Sequence, residues 1–240
     1  MATLIVIPAF NEESSLLSTL DSLACLDSTE FHILVVDDGS NDGTAAILRE
    51  RSQSTENMTF VSLPMNAGIG VAVQTGLIYA HNHDYDYVLQ YDADGQHSVE
   101  SIDGLLRAAT VDNLDLCVGS RFLNADESNF KSTPVRRIGI RFFARLIGLL
   151  AGVHVTDPTS GFRVYGRRAI AVFAQQYPDD FPEPEALFWC TRNGLRVGES
   201  AAKMHVRQGG VSSIRYARTV YYMIKVTIAI IIDRIRSKEV

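Results

Sequence analysis

An open, mostly parallel α/β sheet flanked by helices is the fold this sequence predicts, on three observations. Residues 4–7, 31–36, 59–63, 88–91 and 114–118 are short, mostly apolar runs, the pattern of strands buried on both faces. Helix-period segments lie between them, and that alternation belongs to a parallel sheet with crossover helices. Each run also stops at a polar or bending residue. Pro8, Asp37 and Asp38, Asp92 and Asp94, and Arg121 are therefore expected along one edge of the sheet, where ligands bind in folds of this kind.

In chain order, the first run closes at Pro8. Asn11-Glu12-Glu13 then leads into a helical pattern at Leu16, Leu17, Leu20 and Leu23, with Asn11 as its cap and the glutamates at its positive end. The second strand delivers Asp37-Asp38-Gly39-Ser40-Asn41-Asp42-Gly43-Thr44, followed by a helix containing Ala46, Ile47 and Leu48. A calcium loop would place Asp38, Ser40, Asp42 and Gly43 in its early positions, but where it needs a bidentate glutamate the chain has Arg49. The third strand leads to Asn66-Ala67-Gly68-Ile69-Gly70, at the head of a helix through Val71, Val73, Leu77 and Ile78. A dinucleotide fingerprint would need a third glycine where Val73 stands, so these glycines either let backbone approach a nucleotide or cap the helix. Residues 99–109 read as a helix, and strand 114–118 delivers Gly119-Ser120-Arg121.

With 240 residues, 46% hydrophobic and 21% charged, the chain has the composition of one folded domain with a substantial core, which excludes a disordered chain. Cys25, Cys117 and Cys190 are odd in number, far apart and set among apolar neighbours, so reduced core thiols are expected. The histidines show no H-E-x-x-H spacing, and neither a G-x-S-x-G elbow nor a G-x-x-x-x-G-K-[ST] loop occurs. Thr3-Leu4-Ile5-Val6-Ile7 follows the N-terminus directly, which predicts no signal peptide. The net charge of −6 is divided unevenly: residues 1–130 hold 4 Lys and Arg against 20 Asp and Glu, and residues 131–240 hold 18 against 8. The acidic part suits cation chemistry. The basic part suits a phosphate or a membrane surface, and its aliphatic interleaving counts against nucleic acid.

Tyr91-Asp92-Ala93-Asp94-Gly95-Gln96-His97 carries the sharpest chemical signal. Two carboxylates one residue apart at the end of a buried strand are costly to bury unpaired. A divalent cation relieves that cost, and oxygen ligands suit Mg2+ or Mn2+, which keep open positions for phosphate oxygens. An ordinary polar turn uses the same residue types, so the motif alone leaves both readings open.

The composition changes near residue 131. Pro134 marks the start of a helix to about residue 150, in which Arg137, Arg141 and Arg145 recur at every fourth position beside a wide apolar face. That pattern suits an interfacial membrane helix over residues 131–152, and equally a surface helix with a solvated charge face. Asp157-Pro158-Thr159-Ser160-Gly161-Phe162-Arg163 reads as a turn-rich loop, residues 167–173 as a short helix, and residues 186–192 as a helix preceded by Glu183 and Glu185. Those carboxylates fit a charge pair at the helix start better than a catalytic base. Residues 196–206 resemble two short strands, and the basic, hydroxyl-rich loop at residues 207–213 has donors suited to phosphate. Residues 214–240 are hydrophobic and basic. Their uncharged run after Lys225 is too short to cross ~30 Å of hydrocarbon and is read as an interfacial anchor or a docking face for a membrane partner, although a helix packed on the core explains it too.

Over residues 3–215 the chain resembles glycosyltransferase family 2, the inverting enzymes of GT-A fold, and within it the polyprenyl-phosphate branch that includes dolichol-phosphate mannose synthases. The resemblance rests, in order, on Ile7-Pro8-Ala9-Phe10-Asn11-Glu12, Val35-Val36-Asp37-Asp38-Gly39-Ser40-x-Asp42-Gly43-Thr44, Asp92-Ala93-Asp94-Gly95-Gln96-His97, Gly119-Ser120-Arg121 and Asp157-x-x-Ser160-Gly161-Phe162-Arg163. It implies a catalytic domain over residues 1–213. Such a domain would move a sugar from a UDP-sugar or GDP-mannose to a polyprenyl phosphate such as undecaprenyl phosphate, at the cytoplasmic face of the membrane. Pro8, Ala9, Asn11, Glu12, Asp38 and Gly68, with Ala93, would hold the nucleotide sugar. Asp92, Asp94 and Gln96 would ligate Mg2+ or Mn2+. Arg121 and Arg137, with Arg141, would bind the lipid phosphate, and Arg207 and Ser212 would close over the donor phosphates. Asp92, Asp94, Arg121 and Arg137 would thus carry the chemistry.

An acceptor phosphate is already ionised and needs no strong base; a sugar hydroxyl would need one, with Glu185 the candidate. Two features depart from the family. Ile69 stands where a basic residue is common, and the transmembrane hairpins that often follow the catalytic domain are not seen before Val240, which implies a separate small membrane protein as anchor. A homo-oligomer is also compatible. A glycosyltransferase extending a polysaccharide or lipid-linked glycan is the nearest alternative. A nucleotidyltransferase is disfavoured, because Ala9-Phe10-Asn11-Glu12-Glu13 is acidic and lacks glycine. An inactive scaffold for a membrane complex is the remaining reading, and the intact Asp92, Asp94 and Gln96 argue against it.

Overall fold

The computed structural model describes residues 1–123, 134–178 and 182–205. The segment holding Arg207 and Ser212 and the expected helix over 214–240 lie outside the described residues. Seven strands form one sheet in the order β3-β2-β1-β4-β6-β5-β7. They are β1 (Thr3–Ala9), β2 (Phe31–Asp37), β3 (Met58–Ser62), β4 (Tyr87–Gln90), β5 (Leu116–Ser120), β6 (Arg163–Gly166) and β7 (Val197–Ala201). All neighbours pair in parallel except β6, which runs antiparallel to both β4 and β5.

Among the described residues the α-helices are α1 (Leu16–Leu23), α2 (Thr44–Ser54), α3 (Ile69–Asn82), α4 (Ile102–Val111), α5 (Pro134–Ala151), α6 (Arg167–Gln175) and α7 (Pro182–Arg192). Successive residues of β1 go to opposite cores. Leu4 and Val6 pack with side chains of α3, α5, α6 and α7, whereas Ile5 and Ile7 pack with those of α1, α2 and α4. Helices on both faces explain why the strand is apolar at every position rather than at alternate ones. In α5, Ile140, Phe143, Ile147 and Ala151 are buried, one helical face, while Arg137, Arg141, Phe142, Arg145 and Leu149 are exposed. No helix of the described residues is long and apolar enough to cross a membrane.

Several expectations need correction. Strand β6 is not legible in the sequence: it is only four residues long, opens on an arginine and closes at a glycine, between the loop expected to end at Arg163 and the helix expected from Arg167. Its direction matters, because it brings Arg163 to the edge where β4 and β5 end, in register with Gln90 and Val118. Asn11 does not cap α1. It adopts φ 54°, and the helix starts later, after Ser15, with neither glutamate in its first turn. Helix α7 begins at Pro182, so Glu183 and Glu185 fall inside its first turn. Residues 196–206 contribute one strand and an isolated bridge between Met204 and His97, not two strands. Cys25 is exposed, although Cys117 and Cys190 are buried, and burial pushes both buried thiols up to about 12.

Candidate active site

The polar edge is built from the ends of β1, β2, β4 and β5 and the beginning of β6. At its β1–β2 end a network joins the residues expected to hold a nucleotide. The Asn11 N–H donates to Ser40 Oγ (3.0 Å), Asn11 Oδ1 accepts from the Asn41 N–H (2.8 Å), and the Glu12 N–H donates to Thr44 Oγ1 (2.9 Å). Pro8 and Ala9, buried or nearly so, close β1 beside them. Asp38 is buried, and its two carboxylate oxygens accept from the N–H groups of Ala67 (2.7 Å) and Gly68 (2.9 Å). Gly68 has φ 97°, which favours glycine, and this turn points its N–H at Asp38. Asp38 therefore shapes the wall at the head of α3 by binding its backbone.

The carboxylate loop follows β4. Ala93 is anchored from α1, because Thr19 Oγ1 donates to its carbonyl (2.9 Å). Asp94 Oδ1 accepts from the Gln96 N–H (3.0 Å), an Asx turn that holds the Gln96 backbone against Asp94. The far side is closed by the chain at 203–205, with the His205 N–H on the Gln96 carbonyl (2.7 Å). His97 is buried. Its Nε2 lies 3.0 Å from Asp92 Oδ2, ion-pair distance without hydrogen-bond alignment, and its ring stacks on Phe162 at 4.6 Å. Tyr91, raised to about 12 chiefly by burial, donates its hydroxyl to the His97 carbonyl (2.5 Å). Among the described residues no group of three or more His, Cys, Asp and Glu could cage a metal by itself. Two partly exposed aspartates and an amide oxygen are hard donors that leave coordination positions to other ligands, so the site fits Mg2+ or Mn2+ and not a closed zinc centre.

At the β5 end, Arg121 is buried and gripped by Asp157, itself 0% exposed. Its Nε lies 2.5 Å and its Nη2 2.7 Å from the carboxylate, and Nη2 also reaches Thr159 Oγ1 (3.1 Å). Burial works against the charge, but the hydrogen bonds and charge of Asp157 outweigh it and raise the Arg121 pKa. The expected acceptor-phosphate residue is thus one half of a buried ion pair, and its Nε–Nη2 edge is turned to Asp157. Arg137 and Arg141 stand exposed on α5. Glu183 sits where burial raises its pKa against the opposing effect of Arg163.

The residues that tie these parts together are Asp157, Gly161, Phe162 and Arg163, to which the sequence alone gives no role. A Cβ added to Gly161 would meet Asp92 Oδ1 at 3.1 Å and Gln90 Nε2 at 3.2 Å. Gly161→Ala is therefore expected to push Asp92 off its position and to cost roughly tenfold or more in kcat, the scale at which small misplacements act. Steady-state kinetics of a variant that melts like the parent would check this, and unchanged kcat would contradict it.

The profile described as Glycosyl transferase family 2 matches residues 4–173. The chain is 31% identical over 214 residues to UDP-N-acetylglucosamine–dolichyl-phosphate N-acetylglucosaminyltransferase of Methanococcus voltae, covering 83% of this chain and 84% of that one. It is 31% identical over 223 residues to polyprenol monophosphomannose synthase of Mycolicibacterium smegmatis, covering 88% and 80%. Among solved structures it resembles glucosyl-3-phosphoglycerate synthase of Mycobacterium tuberculosis in complex with Mn2+, UDP and phosphoglyceric acid, with a TM-score of 0.69, 19% identity, and coverage of 97% and 78%. At that identity the likeness speaks to fold alone.

Proposed function

The chain belongs to glycosyl transferase family 2, and on that premise we propose that it transfers one sugar from a nucleotide sugar to a polyprenyl phosphate at the cytoplasmic face of a membrane, inverting the anomeric carbon. One observation carries the proposal. The carboxylate pair at the end of β4 and the gripped Arg121 at the end of β5 share one edge, joined through the segment between Asp157 and Phe162. Two relatives at 31% identity are named for transfer to dolichyl phosphate or for polyprenol monophosphomannose synthesis.

Asp92, Asp94 and Gln96 would hold Mg2+ or Mn2+. When bound, the cation supplies positive charge to the departing nucleoside diphosphate. Asp38 and Asn11 keep the loops around the nucleotide in shape through the backbone bonds described above. Arg121, its guanidinium fixed by Asp157, supplies positive charge toward the acceptor phosphate, whose oxygen is already ionised at neutral pH. That oxygen forms a bond to the anomeric carbon as the bond to the diphosphate breaks on the opposite side. No proton has to leave the acceptor, so the transfer needs no base from α7. The exposed Arg137, Arg141 and Arg145 beside Phe142 and Leu149 support α5 as the surface that meets the headgroups.

The test supplies the purified protein and Mn2+ or Mg2+ with UDP- and GDP-sugars, with and without undecaprenyl phosphate, and follows nucleoside diphosphate release. Release that requires both the lipid phosphate and one donor is expected. Release indifferent to the lipid would contradict the acceptor assignment and favour glycan extension.

A further inference from the structure

Arg163 is fully buried in the middle of the sheet, yet it contributes to no substrate contact described above. A charge there is expensive, and an apolar side chain of similar volume would fill the same space at less cost. Its donors show what it holds. Nε donates to the Ser160 carbonyl (2.7 Å) and Nη2 to the Pro158 carbonyl (3.0 Å), both in the turn that runs from Asp157 to Phe162. The opposite end of that turn is held from β7. The Glu199 carboxylate accepts from the N–H groups of Thr156 (2.8 Å) and Asp157 (3.0 Å). Between the two clamps, Asp157 grips Arg121, Gly161 lies against Asp92, and Phe162 stacks on His97, which in turn abuts Asp92.

We propose that Arg163 and Glu199 are positioning residues that fix the two ends of this turn, so that Arg163 sets the placement of the carboxylate loop and Glu199 sets the placement of Arg121. The division follows from geometry. Arg163 binds the turn at Pro158 and at Ser160, and of the two clamps it alone reaches the Ser160 carbonyl, which adjoins Gly161 and Phe162, the residues against Asp92 and His97. Glu199 binds the half that begins at Asp157, the residue against Arg121. The guanidinium spans two carbonyls with one rigid fork, which a lysine ammonium on a flexible stem cannot reproduce. The Glu199 half of this inference rests on the proposed acceptor; the Arg163 half concerns only the carboxylate loop.

The experiment compares Arg163→Lys and Glu199→Gln with the parent by three readouts: melting temperature, affinity for Mn2+ with UDP or GDP by calorimetry, and the KM for undecaprenyl phosphate. Residues that orient metal ligands from behind typically change metal affinity by 10–100-fold, and an effect of about that size is expected in Arg163→Lys. Nucleotide binding in EDTA should stay within about twofold, an allowance set by the usual scatter of distant surface effects. Glu199→Gln is expected to raise the KM for the lipid phosphate several-fold and to leave Mn2+ affinity alone, because the amide oxygen still accepts from Thr156 and Asp157 but without the charge that strengthens both bonds, a change worth ~1.4 kcal/mol or less, under about tenfold.

Parent-like Mn2+ affinity in a folded Arg163→Lys overturns the first half. An unchanged lipid-phosphate KM in Glu199→Gln overturns the second. Equal losses of both affinities in both variants, in step with lowered melting temperature, would show a general structural role and overturn the division. A parent enzyme indifferent to the lipid phosphate would instead overturn the acceptor reading and the Glu199 half with it, while the Mn2+ titration still decides Arg163.

Discussion

Replacing Asp92 by alanine is expected to abolish turnover, with kcat/KM falling ~10³-fold or more, about 4 kcal/mol at ~1.4 kcal/mol per decade. The carboxylate stands where β4 ends, with His97 Nε2 at 3.0 Å and the backbone of Gly161 beneath it. Its placement is thus fixed from two sides before any ligand arrives. The loss should come with weakened Mn2+ binding and a smaller change in melting temperature than a buried ion pair would give, because Asp92 itself is partly exposed. Steady-state kinetics together with Mn2+ titration checks this. Turnover that survives Asp92→Ala would remove the metal assignment, and with it the role given to Asp94 and Gln96.

Arg121→Ala should cost both activity and stability, and the two losses can be separated. It leaves Asp157, at 0% exposure, without its bidentate partner. Breaking a buried pair from one side costs about 3–5 kcal/mol, because the remaining charge stays buried. For a chain of this size that corresponds to a melting temperature lower by on the order of 10 °C. Replacing both partners by apolar residues of similar shape, Arg121→Met with Asp157→Leu, should recover a large part of that loss, since no unpaired charge is left. Activity should not recover with it, because the acceptor phosphate has lost its guanidinium. Thermal melts and kinetics of the single and double variants form the test. A double variant that regains turnover along with stability would reduce Arg121 to a structural residue.

How far the sequence reveals this site follows from the range of the interactions involved. The continuous apolar run of β1 predicts a strand covered on both faces, and its residues do divide between two cores. Asp92, Asp94 and Gln96 are legible because the two carboxylates and the turn that holds the Gln96 backbone against Asp94 lie within five residues of chain. Arg121 is legible as a basic residue at a strand end. Its partner is not, because Asp157 lies 36 residues away and only the β5–β6 pairing brings the two together. The same limit applies to Arg163. Its register with Gln90 depends on a four-residue antiparallel strand, too short to show a period. Asn11 shows the converse error. Its residue type suits a helix cap, but tertiary bonds to Ser40 and Asn41 hold it in a left-handed turn, and the helix begins beyond it.

The measurement that bears most directly on the proposed reaction is the phosphorus NMR spectrum of undecaprenyl phosphate after incubation with the enzyme, Mn2+ and the donor it accepts. Conversion of the lipid's phosphomonoester signal to that of a phosphodiester carrying the sugar is the predicted result. A phosphomonoester that stays unchanged while nucleoside diphosphate accumulates and the sugar appears on a glycan hydroxyl would contradict it.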